Sequence, residues 1–385
     1  MRASIHKWMN FAVCGLAASL LPGCAKNSEL AAERPPGPAT DAGDATMPLP
    51  SAVDTSCKAG AWCRVTLPRN ISINGIWGAS ADDVWLAGTP GTALHWNGRG
   101  LDAHSIDTAQ ALSGVWGSSA SDVWMFTTSA SIWHFDQSTN SWSRSLAKTG
   151  RPEPGEGYPT PVAAMWGTSN SDVWAVGASI LQNSKNPSPP VYHSDGWRNG
   201  DPNWQVVATA IWDPPTVEYI TMNAICGGAK AGVWLVGDSG KTRYSSGWVN
   251  GGAKWGSLNT QTTRNLFGVW CSPDGEVWAV GDKGTILRFT LAEGDSYNAE
   301  SFGPLTNKSL RAVWGASPTD IWAVGDAGTV LRWDGTSWMA AKAPLAGATS
   351  EDLFTIWGES AQEIWIGGRN VLLHNGISES PGASL

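Results

Sequence analysis

Apolar residues in this chain come in short runs separated by Gly, Asp, Ser or Pro, and the runs recur in groups of four. The stretch Arg311–Trp338, RAVWGASPTDIWAVGDAGTVLRWDGTSW, shows the group most clearly. Its runs are Leu310–Trp314, Asp320–Val324, Thr329–Trp333 and Ser337–Lys342, rich in Val, Ile, Trp and Thr, as strands are. GASPT, GDAG and DGT join them, with Gly where a tight hairpin needs positive φ. Two Trp columns set the register. The first is Trp77, Trp116, Trp166, Cys226 in place of Trp, Trp270, Trp314 and Trp357. The second is Trp85, Trp124, Trp174, Trp234, Trp278, Trp322 and Trp365, eight residues further on in all seven copies.

Steps of 39, 50, 60, 44, 44 and 43 residues separate the copies. That spacing, with four strands and Trp and Gly marks per unit, predicts an all-β, seven-bladed β-propeller of four-stranded blades. The strands are lettered A to D from the axis outwards. The seventh copy ends HNGISESPGASL without a strand D, whereas Ala61–Pro68, AWCRVTLP, resembles strand D of the sixth copy, SWMAAKAP. The N-terminal segment is therefore expected to complete the last blade, which removes an open sheet edge.

Of the 25 Trp residues, 13 stand in the two columns, so core packing accounts for most of that excess. Ahead of the propeller, Arg2 and Lys7 precede an apolar run, Phe11–Leu21, as in a secretory signal, too short for a spanning helix. The Pro-, Ala-, Gly- and Asp-rich segment Ala25–Ser56 reads as a flexible tether. The expected organisation is a signal over 1–23, a tether over 24–56 and a propeller over 57–385. Without Arg2 and Lys7 the chain carries 23 basic and 33 acidic residues, net −10, which disfavours nucleic acid and anionic membrane surfaces as partners. Export permits disulfides. Cys57 and Cys63 flank a short loop beside the closing strand and are expected to pair. Cys226 and Cys271 lie on neighbouring A strands and point to opposite faces of their sheets. They either meet between blades or stay as small buried apolar side chains. No Cys-x-x-Cys or zinc-spaced His cluster occurs, so neither a metal nor a cofactor is expected.

A carboxylate stands two residues before the second Trp in six copies, as Asp83, Asp122, Asp172, Glu276, Asp320 and Glu363, with Gly232 the exception. Repetition in nearly every blade fits a structural turn cap better than a catalytic ring. A second column near the end of strand C, His95, His134, His193, Arg243, Arg288, Arg332 and Leu373, ends on the same face and is expected to pair with the acids. Asp238, Asp282 and Asp326 fall in B–C turns on the opposite face. They read as turn residues, with an ion or cationic-ligand site as the alternative. Three insertions, Lys148–Pro161, Ala178–Pro190 and Ala208–Thr221, gather by strand order on one sector of that opposite face. They bring Arg151, Glu153, Glu156, Tyr158, Trp212, Glu218 and Tyr219, types suited to a sugar or peptide, although surface padding would look the same.

Leu21-Pro22-Gly23-Cys24 resembles a bacterial lipobox, which implies acylation of Cys24; Lys26 after it, by the same analogy, argues against inner-membrane retention. The repeat resembles the WG-x6-(D/E)(V/I)W-x-x-G units of bacterial lipoproteins and secreted propellers over Ser72–Gly376. More distantly it is similar to Asp-box, sialidase-like and photosystem-assembly propellers, as in Asp334-Gly335-Thr336-Ser337-Trp338. It departs from the true Asp-box, which has a residue between Asp and Gly, and a sialidase-like site cannot be assembled from its residues. Fold analogy alone does not give function; the leading reading is a non-enzymatic, monomeric lipoprotein of the bacterial cell envelope, expected at the outer membrane facing periplasm or exterior, that binds or scaffolds an envelope protein or glycan. Its expected binding residues are Arg151, Tyr158, Trp212, Glu218 and Tyr219. The alternative is a glycoside hydrolase or lyase using carboxylates on the loop-rich face; a third reading is a purely structural envelope protein.

Overall fold

The computed structural model describes residues 62–67, 71–146, 161–177, 181–182, 186–187, 191–207, 221–293, 296–343 and 351–376. They form eight antiparallel sheets: seven are the blades of a propeller, and the eighth pairs Leu181–Gln182 with Asn186–Pro187. Blade one runs Ser72–Ser80, Asp83–Thr89, Thr92–Trp96, Leu101–His104, each strand bonded to the next. Blade six, Leu310–Ser317, Asp320–Gly325, Thr329–Trp333 and Trp338–Ala340, lies within a few residues of the expected runs. Its B–C turn, like those of blades four and five, carries two consecutive residues at positive φ: Ser239 and Gly240, Lys283 and Gly284, Ala327 and Gly328. This twist matches that of the flanking strands. The sequence marked only the glycine.

The ring closes through the N-terminal strand. Trp62–Arg64 joins the last blade as its strand D, with Cys63 opposite His374 and Arg64 opposite Leu373. Arg64 then donates to both carboxylate oxygens of Glu351, at 2.7 and 3.0 Å, and to the carbonyl of Asn370 at 2.9 Å. Asn370 N donates to Ile71 O at 3.1 Å, tying blade seven to blade one.

The core is distributed. Seven apolar clusters each span one junction between neighbouring blades, for example Trp365 and Leu372 with Ile73, Ile76 and Leu94. Strand B is buried on both faces in every blade, which is why it reads as a continuous apolar run. Burying a Trp there contributes on the order of 5 kcal/mol by area, and six of the second column are at most 1% exposed.

The Trp-Gly pair of strand A has a specific packing reason. The first-column Trp of each blade lies over the Gly that follows the corresponding Trp in the next blade. A Cβ on Gly117 would stand 2.7 Å from the Trp77 ring, one on Gly167 2.9 Å from Trp116, and one on Gly227 2.3 Å from Trp166. Gly315 meets Trp270, Gly358 meets Trp314, and Gly78 meets Trp357, which closes the circle. The junction of blades four and five has Cys226 in place of Trp and Cys271 in place of Gly, and the two are disulfide-bonded.

Candidate functional site

The face that carries the A–B and C–D turns is lined by the carboxylate column, and each acid is paired. His95 Nε2 lies 2.8 Å from Asp83 Oδ1, His134 Nε2 2.8 Å from Asp122 Oδ1, and His193 Nε2 2.8 Å from Asp172 Oδ1. Arg332 Nε donates to Asp320 at 2.7 Å, and Arg288 pairs with Glu276. The cause is register. The C-strand residue sits directly across from the second-column Trp, and the acid sits two residues before that Trp on the same side of strand B. The indole joins the group: Trp124 Nε1 donates to Asp122 at 2.9 Å and Trp174 Nε1 to Asp172 at 3.0 Å. Trp85 stacks on His95 at 4.2 Å between ring centroids, and Trp365 on His374 at 3.9 Å.

Burial alone would raise the Asp122 carboxyl; hydrogen bonds from His134, Ser118 and Trp124, with the His134 charge, outweigh it and hold it below the usual range. Asp172 is held low first by the hydrogen bond from His193, against burial, with Thr168 and Trp174 helping.

The column read from sequence needs two corrections. In blade seven, Trp365 faces His374 rather than Leu373, and His374 pairs with Glu363. In blade four, Trp234 faces Tyr244, while Arg243 faces Leu235 on the other side of the sheet. A one-residue offset on a strand reverses the face a side chain occupies; in blade four the charge of Arg243 pointed to the wrong neighbour, and in blade seven the offset hid His374 behind Leu373.

Blade four is the exceptional one. Its regular strands are Met222–Gly228, Gly232–Gly237 and Thr242–Ser245, and the D position is held by a bridge between Tyr244 and Gly256. In blades one, two, three, six and seven a Ser pairs with the acid across a bulged turn, as Ser80 with Asp83. Here Gly228 pairs with Gly232. Gly232 has φ +68°, and a Cβ on it would fall 2.1 Å from Ser245 O, so no carboxylate can stand there. Trp234 turns its Nε1 to Ala231 O instead, at 3.0 Å, and stacks with Tyr244 at 5.2 Å.

Two clefts open on this face at equivalent places. One, of about 750 Å³ between blades one and two, is lined by Asp83, His95, Asp102, His104, Phe135 and Asn140 among others. Burial first, and then the neighbouring His95, lower the His104 pKa, with Asp102 opposing. The other, of about 450 Å³ between blades four and five, is lined by Lys230, Tyr244, Lys254, Trp255, Leu291 and Tyr297 among others. The first presents acids and imidazoles; the second presents ammonium groups and aromatic rings. Sequence reading missed this second set. The signal available was the coincidence of Gly232 and Cys226 in one copy.

On the opposite face the three turn acids are engaged. Asp326 accepts from Arg311 Nε and Nη2 at 2.8 and 3.0 Å, Asp238 from Asn223 at 2.9 Å, and Asp282 from Ser309 at 3.2 Å. The guanidinium of Arg311 also lies 4.8 Å from the Phe267 ring centroid. Among the described residues no three His, Cys, Asp or Glu side chains converge as a metal site requires. The expected binding residues Arg151, Tyr158, Trp212, Glu218 and Tyr219 lie outside the described residues, as do Glu153, Glu156, the lipidation candidate Cys24, and Cys57. Cys63 is disulfide-bonded, to a partner that is not among the described residues. Asp334, in the turn after strand C of blade six, accepts from Thr336 N, Thr336 Oγ1 and Ser337 N, which lower its pKa to about 2.

No protein-family model and no curated protein matches this chain. Solved structures share its architecture. YCF48 bound to a D1 peptide is 18% identical, over 83% of this chain and 100% of that one, with a TM-score of 0.59. YCF48 from Cyanidioschyzon merolae is 19% identical over 82% and 99%, with a TM-score of 0.61. The extracellular domain of a hybrid two-component system from B. thetaiotaomicron is 13% identical over 80% of this chain and 40% of that one, with a TM-score of 0.57. At these identities the likeness is one of fold: this chain is similar to other β-propellers.

Proposed function

We propose that the protein is a non-enzymatic binding or scaffolding module for a protein or carbohydrate partner, held at the bacterial cell envelope by a lipid on Cys24. The observation that carries this reading is the commitment of the carboxylate column. All six acids that would have formed a catalytic ring are paired with a cross-strand His or Arg in a repeated unit. The departure from that unit in blade four, Gly232 with Tyr244, lies instead at an open, aromatic- and polar-lined cleft, the kind of surface that binds. A propeller of similar fold has been captured with a peptide, which gives the reading a precedent. Catalysis on a glycan is the second reading, favoured by the cleft between blades one and two, where Asp83 and Asp102 face the same space.

A glycan array and a peptide array probed with the mature chain bearing Cys24→Ser, each followed by product analysis of the eluate, separate the two. Retention without turnover is expected. Release of cleaved oligosaccharide, lost in Asp102→Asn, would overturn the binding reading in favour of the enzyme.

A further inference from the structure

The two clefts occupy the same place in the seven-fold repeat and carry opposite charge, and that inversion defines a ligand. In the cleft between blades one and two the strand-B acid is Asp83, its partner across strand C is His95, and strand D adds Asp102. In the cleft between blades four and five the acid position is Gly232, Tyr244 replaces the partner, and the D segment adds Lys254. The first change removes an anion, the last puts an ammonium group where the other cleft has a carboxylate, and the middle one exchanges an imidazole for a neutral phenol. The Cβ of any side chain at 232 would strike Ser245 O, so the missing acid is fixed by the backbone.

Lys254 makes no ion pair or hydrogen bond with any described residue, and it faces a cleft with no fixed anion among its lining residues. Lys230 meets Asp274 at 3.7 Å with both side chains about two-thirds exposed, a contact worth little in water. Both ammonium groups are therefore available to a ligand. The chain as a whole is acidic, net −8, so a local cationic cleft selects for an anion against the background field. Tyr244, Trp255, Leu291 and Tyr297 supply the apolar part of the remaining wall, beside Ser245 and Ser246. The Tyr244 ring is clamped between Trp234, at 5.2 Å, and Gly256, where a Cβ would lie 2.5 Å from the Tyr ring. Tyr297 stands edge-on to Tyr244 at 5.1 Å. Leu291 is 57% exposed at the rim, where an aliphatic side chain rather than a sugar ring would complete its burial.

We propose that the cleft between blades four and five binds a peptide segment in which an Asp or Glu side chain, held by Lys230 and Lys254, stands next to an apolar side chain packed on Tyr244, Tyr297 and Leu291. This rests on the reading of the protein as a binding module and names the partner's chemistry. The rigid aromatic floor is pre-formed, so little ordering entropy opposes binding. The ammonium groups set charge preference and association rate, and the aromatic floor sets affinity.

The probe is an array of acetylated, amidated octapeptides with a central Leu-Glu, Leu-Gln, Leu-Lys or Ser-Glu pair in varied flanks, with oligogalacturonate spots alongside. The mature chain with Cys24→Ser is compared with the same chain carrying Lys230→Glu and Lys254→Glu, and with one carrying Leu291→Ser. All three changes are at exposed positions, and circular dichroism checks folding. The Leu-Glu set should be retained at least tenfold better than Leu-Gln, and retention should fall as NaCl rises from 50 to 500 mM. Charge reversal should abolish that preference, and Leu291→Ser should reduce Leu-Glu to the level of Ser-Glu. Equal retention of Leu-Glu and Leu-Gln, a preference that survives charge reversal, or retention of oligogalacturonate alone overturns the proposal. Binding that survives charge reversal would leave the module reading standing with its site elsewhere; a parent chain that retains nothing on either array fails both.

Discussion

Cys226 and Cys271 are bonded across the junction of blades four and five, with Cα atoms 5.6 Å apart, at the two positions that hold Trp and Gly around the rest of the ring. Six junctions are locked by an indole seated over a bare backbone; the seventh is locked covalently. The bond joins residues 45 apart in sequence, and closing a loop of that size stabilises by about 2–4 kcal/mol. Replacing both cysteines with Ser should lower the guanidinium midpoint accordingly, and reductant, which also opens the Cys63 bond, should lower the parent by at least as much. Cys226→Trp with Cys271→Gly, compared with the double Ser variant under the same redox conditions, should restore part of the loss. A parent midpoint unmoved by reductant would show that the bond contributes nothing.

The indole-over-glycine contact makes a paired prediction. Gly315→Ala places a methyl group 2.6 Å from the Trp270 ring and should cost about 1–3 kcal/mol by overpacking. At Gly228 the nearest atom to a Cβ is 3.8 Å away, so Gly228→Ala should stay within about 0.5 kcal/mol of the parent. Similar urea midpoints for the two variants would mean that the Trp column moves aside freely.

Closure through Trp62–Arg64 predicts a sharp difference between two truncations. Removing residues up to Pro68 strips strand D from blade seven and the Arg64–Glu351 pair with it, leaving an exposed sheet edge. Light scattering should report aggregation and calorimetry a lowered Tm. Removing only Ala25–Ser56 should leave both measurements at the parent's values.

Acid stability follows from the carboxylate column. The folded pKa values of Asp122 and Asp172 are depressed, so their contribution is complete above the unfolded carboxylate pKa of about 3.9. It is lost as pH falls from there through the folded values. Asp122→Asn should cost about 1.5–3 kcal/mol at pH 7, where the charged hydrogen bonds are intact. The gap from the parent should narrow below about pH 4. Denaturant midpoints measured from pH 3 to pH 7 check this; a constant gap would assign the loss to packing instead.

Lipidation is tested directly. Cells fed a labelled fatty acid should label the parent and not Cys24→Ser, and membrane fractionation should follow the label. Equal labelling of the two proteins would remove the envelope anchor from the proposal.

The sequence by itself determined the blade count, the strand order and the closing segment. These are written locally, in Trp columns eight residues apart, in Gly-bearing turns, and in a last copy that lacks its fourth strand. It also showed that an acid column and a His or Arg column would meet, because both fall on one face of adjacent strands. Tertiary structure alone decided which residues meet. Opposite Trp234 stands Tyr244 and not Arg243, and opposite Trp365 stands His374 and not Leu373; hairpin registry fixes this, and a one-residue shift reverses a face. The pairing of Cys226 with Cys271, left open by the sequence, follows from how far one blade is rotated against the next. The cationic cleft assembles Lys230 and Lys254 from the A–B turn and D segment of blade four with Leu291 from the end of strand C of blade five, positions whose proximity no periodicity records because stacking between sheets, and not spacing along the chain, brings them together.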